Sequence, residues 1–118
     1  MDQSLSKEVL DAAEAAKTEG HEVFHIKLAG KDFLYRQVYR KEWKTLLKSR
    51  NTAMIAAGDD DLLKVDVAEA EMENLLRVCL VYPKADFDRL PAGCIQTLCD
   101  LITEVSGFGG VEVESTKL

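Results

Sequence analysis

Metal binding and acid–base catalysis need histidines, cysteines or carboxylates that converge, and this 118-residue chain offers few candidates for either. His21 and His25 are the only histidines. Four residues apart they would share a helix face, but the pattern around them alternates as a strand does, and no HExxH arrangement is present. Cys79, Cys94 and Cys99 form no CxxC pair and stand in apolar helical patterns, so they read as small buried hydrophobes of a reducing compartment. A zinc site joining His25 to these thiols would require three helices to converge on one strand. Asp59-Asp60-Asp61 lacks the DxDxDG spacing and the downstream bidentate glutamate of a calcium loop, and reads as a solvated loop that caps the next helix. Asp86 and Asp88 flank a proline-bounded turn, where carboxylates hold turns or cap helix starts. No GxxxxGK, GxGxxG or GxSxG sequence occurs. The expectation is a protein that is not an enzyme and needs no metal and no other cofactor.

Composition narrows the partners. The chain has 15 basic and 21 acidic residues, a net charge of -6, which argues against nucleic acid as a partner because phosphate neutralisation needs a basic footprint. Residues 1–58 hold ten basic and eight acidic residues, whereas residues 59–118 hold five and thirteen, so the halves carry +2 and -8. The basic excess centres on Arg36, Arg40, Lys41, Lys44, Lys48 and Arg50, which reads as a solvated helix face that also meets the acidic second half, the alternative being a local patch for an anionic partner. Apolar runs of only a few residues predict no membrane partner, and the start Met1-Asp2-Gln3-Ser4 carries no pattern of a secretory leader.

The elements follow from periodicity. Residues 4–18 place Leu5, Val9, Ala12, Ala13 and Ala16 at helical spacing, with Ser4 or Ser6 to cap the start and Gly20 to end it. Alanine buries little area, so this helix is expected to be peripheral and weakly docked, or to pack on a neighbouring chain. From Glu22 the period becomes two: Phe24, Ile26 and Leu28 alternate with His25 and Lys27, and residues 33–39 return after a turn at Gly30-Lys31 of the II′ kind. That register sets Leu28 against Phe33, Ile26 against Tyr35 and His25 against Arg36. One face is apolar and needs helical cover, while the outer edges are expected to stay free for another strand.

Residues 40–57 read as a helix with Trp43, Leu46, Leu47, Met54 and Ile55 toward the core and Gly58 at its end. A third helix is expected over residues 67–82, with Met72, Leu75, Leu76, Cys79 and Leu80 on one side. Pro83 closes it and Pro91 opens the last, over residues 91–105, with Ile95, Leu98, Ile102 and Val105 inward. The short linker predicts an antiparallel pair. Gly107 suits a left-handed position after the last helix, with Phe108 as the apolar contact behind it. Val111 and Val113 in the tail fit either a short strand or no ordered element.

The fold class expected is α+β: a mainly helical single domain with a β-hairpin over about residues 22–39 packed on three helices, plus a peripheral N-terminal helix. Residues 1–20 form that helix, 21–108 the core domain and 109–118 the tail. Phe24, Ile26 and Leu28 of the hairpin, with Val9 and Ala13 of the first helix, are the candidate partner-binding residues.

Leu34-Tyr35-Arg36-Gln37-Val38-Tyr39-Arg40-Lys41-Glu42-Trp43, then Val78-Cys79-Leu80-Val81-Tyr82-Pro83, then Leu90-Pro91-Ala92-Gly93, then Ser106-Gly107-Phe108, taken in that order, resemble tail assembly chaperones of long-tailed bacteriophages and related small tail or baseplate proteins. The likeness covers residues 22–108 and rests on packing and turn signatures. It implies a chaperone without catalysis that binds the tape-measure protein, keeps its apolar helices soluble and assists assembly of the tail tube. Self-association and a place in the host bacterial cytoplasm during phage assembly go with that role. The resemblance also implies a short and a frameshifted long form, of which this sequence would be the short one. The alternative is a structural virion component of the tail or baseplate. On the metal question, melting curves recorded with and without a strong chelator should superimpose; a chelator-induced fall in melting temperature would reveal a metal site among the histidines and cysteines.

Overall fold

The computed structural model describes residues 5–84 and 89–108 and the backbone of residues 116–117. The elements run α1 (Lys7–Thr18), β1 (Phe24–Leu28), β2 (Lys31–Tyr35), α2 (Arg40–Ala57), α3 (Asp61–Cys79), β3 (Leu80–Tyr82), α4 (Ala92–Val105) and β4 (Thr116–Lys117). Among the described residues four antiparallel strands lie in the order β3-β2-β1-β4, and the chain is a small α+β domain in which helices dominate. The expected roles of Asp86 and Asp88, the strand at Val111 and Val113, and the cap at Ser4 fall outside the described residues.

The hairpin forms where alternation predicts it, but two residues out of register. Its turn is Ala29-Gly30, with φ of 51° and 75°, so both central residues are left-handed as a type I′ turn requires. Leu28 therefore pairs with Lys31, Ile26 with Phe33, Phe24 with Tyr35 and His25 with Leu34. A shift of two preserves the faces, and Phe24, Ile26, Phe33 and Tyr35 still line one side. The expected free edges are corrected: β3 pairs along β2, and β4 pairs with β1 at Phe24 and His25. The third helix accordingly stops at Cys79, and Leu80–Tyr82 turns into β3 because the β2 donors and acceptors need a partner.

Both sheet faces are covered. Phe33 and Tyr35 pack with Leu75, Leu76, Cys79, Leu98 and Ile102 of α3 and α4. On the opposite face Leu34 is buried with Val9, Ala13 and Ala16 of α1 and with Val23. The helix expected to dock weakly thus closes a second core, since its small side chains let the backbone lie close over Leu34. Ser6 caps α1, its Oγ accepting from Val9 N at 3.3 Å.

The helix ends agree with their sequence signals. Asp60 caps α3, its Oδ1 accepting from the amides of Leu62 and Leu63, so that helix begins six residues before the expected start. At the end of α4, Gly107 N donates to Glu104 O and Phe108 N to Thr103 O, with Gly107 at φ 94°, which is a Schellman motif. Phe108 then lies 4.7 Å, centroid to centroid, from Trp43.

Ala29 carries a Cβ in a conformation that costs L-residues about 1–2 kcal/mol. Ala29→Asn, which creates the preferred Asn-Gly turn, should stabilise the exposed hairpin by about 1 kcal/mol. The check is urea denaturation, read as a higher midpoint at unchanged slope; an unaltered midpoint would show that the turn adapts.

Candidate interaction surface

Both histidines have partners within the fold. His25 Nε2 lies 2.9 Å from Asp32 Oδ1, diagonally across the hairpin. His21 Nδ1 lies 3.1 Å from Tyr39 Oη, with the two rings stacked. The three cysteines are buried free thiols, and burial pushes the thiols of Cys79 and Cys99 up to about 12, far from thiolate formation near neutrality. Among the described residues no group of three or more metal-ligating side chains comes together, and no helix is long and apolar enough to cross a membrane.

One ion pair organises the segment between sheet and helices. Arg36 donates from Nη1 to Glu42 Oε1 at 3.0 Å and from Nη2 to Oε2 at 2.8 Å, a two-pronged pair in which Arg36 is buried. Glu42 Oε1 also accepts from Tyr39 N at the start of α2. The Arg36 hydrogen bonds hold the Glu42 carboxyl below its ordinary value despite its desolvation, and the same bonds raise the guanidinium. Gln37 Nε2 donates to Val105 O and Val38 N to Ser106 Oγ, which fastens this segment to the end of α4.

The predicted partner-binding residues divide. Val9 and Ala13 are buried within the chain's own α1 core, so as an exposed surface they are corrected; docking over Leu34 has consumed them. Phe24, Ile26 and Leu28 are half-buried and face the α3–α4 core.

Unmet apolar surface lies elsewhere. Met54 and Ile55, expected in the core, are 39% and 82% exposed, and Leu62 and Val65 are 78% and 55% exposed. On α3, Leu62, Val65, Met72 and Leu76 share one face by their spacing of three, seven and four. Met72 and Leu76 on that stripe reach the core, while Leu62 and Val65 continue it beyond the helices that cover it. On α2, Trp43, Leu47 and Met54 form the matching stripe, again covered at one end only. Helix lengths explain this: 18 and 19 residues give about 27–28 Å, whereas the 14 residues of α4 give about 21 Å. Between the far halves of α2 and α3 runs an open groove of about 340 Å³, lined by Ala53, Ala57, Leu63, Val67 and Ala70, with Arg50 and Glu71 paired across the two helices at 3.3 Å.

Sequence reasoning missed this surface because it began α3 at residue 67. The signal was present in Asp60 as a cap followed by Leu62 and Val65 in phase with Met72. Comparison of the chain with family models, with curated proteins and with solved structures gives no match in any of the three.

The ion pair supplies a pH test. Since the folded carboxyl of Glu42 is depressed, its stabilisation is complete above the ordinary carboxylate range and is lost as pH falls through the folded value. Glu42→Gln should cost about 1–3 kcal/mol at neutral pH and flatten the fall in stability between about pH 5 and about pH 3. Chemical denaturation across that range is the measurement; parallel curves for the two proteins would remove Glu42 from the acid response.

Proposed function

We propose that the chain is a phage tail assembly chaperone that works without catalysis, holding an apolar helix of the tape-measure protein along the open stripe of α2 and α3. The observation that carries this reading is the exposure of Met54 on α2 and of Leu62 and Val65 on α3. The open groove between the two helices, lined by Ala53, Ala57, Leu63, Val67 and Ala70, can accept an amphipathic helix lengthwise, as groove-type recognition does. The client helix would extend the cover that α4 gives to the body end of the same stripe. Large apolar patches on small proteins mark binding sites, which agrees with a protein whose histidines and thiols are committed to its own packing. The resemblance of residues 22–108 to tail assembly chaperones supplies the identity of the client.

The test is co-expression with the cognate tape-measure protein. The intact chain should keep that client soluble and co-purify with it, whereas Leu62→Ser with Val65→Ser should lose the complex while retaining the native circular dichroism and melting curve. A client equally insoluble with and without the chain overturns the proposal. Recovery of the chain from purified particles would favour the structural role in tail or baseplate instead.

A further inference from the structure

We infer that the free half of α3 docks a basic amphipathic helix of another protein, Leu62 and Val65 taking its apolar side chains and Asp66 and Glu69 its lysines or arginines. This rests on the reading of this end of the molecule as a docking surface for a helix, and it adds the charge that the partner carries.

From Leu62, the residues Val65, Asp66 and Glu69 follow at three, four and seven positions along α3, so the four make one continuous patch, and all are exposed. The patch is about 11 Å long, two helical turns. Anchors in this pattern are what a partner helix engages. Asp66 also borders the groove between α2 and α3. Among the described residues neither Asp66 nor Glu69 has an ion pair or a side-chain hydrogen bond. Neighbouring bases do not neutralise them. Arg50 pairs with Glu71 and Arg77 with Glu73, while Lys64, two and five residues from the two acids, lies off their face.

Charge around the patch selects the partner. Residues 51–70, from the far end of α2 through the turn to the first half of α3, hold five acids and the single base Lys64, a net of -4. One of the five, Asp60, is committed to capping α3. Anionic lipid headgroups and nucleic acid are repelled here. An acidic helix seated on Leu62 and Val65 would crowd the two carboxylates, and an uncharged one would take water from them without replacing it. A helix with lysines or arginines beside its apolar stripe does neither, so the apolar pair supplies hold and the carboxylates supply choice.

The experiment uses the intact chain and two labelled synthetic helices of about 18 residues, one with a leucine stripe flanked by lysines and the other with glutamate at every lysine position. Fluorescence anisotropy should show the lysine helix binding about tenfold more tightly, or better, than the glutamate helix. Asp66→Lys with Glu69→Lys should abolish that preference, Asp66→Asn with Glu69→Gln should reduce it, and Leu62→Ser should weaken the binding of the lysine helix. Asp11→Lys with Glu14→Lys, at exposed positions of α1, changes the net charge as much as the lysine pair on α3 does and should leave the preference intact. Equal binding of the two helices overturns the inference. So does a response to the α1 pair as large as that to the α3 pair, which would mean attraction to net charge alone. Association of the chain with phosphatidylserine vesicles, or self-association through Leu62 and Val65 with no peptide present, overturns it too. A chain that holds the tape-measure client but ignores the lysine helix fails here and leaves the chaperone proposal standing. One that binds the lysine helix through this patch but does not hold the client fails the chaperone proposal alone.

Discussion

Three consecutive residues, Phe33, Leu34 and Tyr35, are fully buried, and the architecture follows from that burial. Successive side chains on a strand point to opposite faces, so a strand buried throughout requires cover on both sides, and its backbone requires partners on both edges. Helices α3 and α4 supply one face and α1 the other, while β1 and β3 supply the edges. Full burial of a side chain the size of leucine contributes about 1.5–3 kcal/mol, which makes Leu34 an anchor for α1 even though that helix brings mostly alanine. Alanine matters here for closeness of approach more than for area.

Segment 36–39 converts the sheet into a support for the helices. Chain direction changes between β2 and α2, where backbone groups leave the ladder and have no helix yet. Glu42 accepts from Tyr39, Ser106 accepts from Val38, and Arg36 N donates to Cys79 O. Each of these donors is satisfied by a different element, so the entry to α2, the exit of α3 and the end of α4 are fixed relative to one another. Burial of Arg36 is tolerable because Glu42 answers its guanidinium with both oxygens.

The features legible in the sequence were those written locally. Gly58 ends α2, Gly107 and Phe108 close α4, and alternation identifies the apolar face of the hairpin. Register was less legible, because moving the turn by one residue shifts the pairing by two, which leaves every side chain on its own face, and the pattern cannot distinguish the alternatives. The end of α3 was hidden for another reason. Leu80 continues the helical spacing of Leu76, and only the unpaired edge of β2, more than forty residues earlier, draws it into a strand. The exposed row on α2 and α3 escaped notice because periodicity says which residues share a face and is silent on how much of that face a neighbour is long enough to cover. Of the candidate surface, then, the residue types were readable and their exposure was not.

The junction of α3 with β3 has a mechanical consequence. Cys79 ends the helix and Leu80 begins the strand, with no loop between them to take up slack. The 19-residue helix, about 28 Å long, therefore runs straight into the sheet edge. Leu62 and Val65 at the free end are joined through one unbroken helix to Leu80–Tyr82, the strand that seals β2 and packs against α1. The far end of α3 and the edge of the sheet thus belong to one continuous, loop-free stretch of chain.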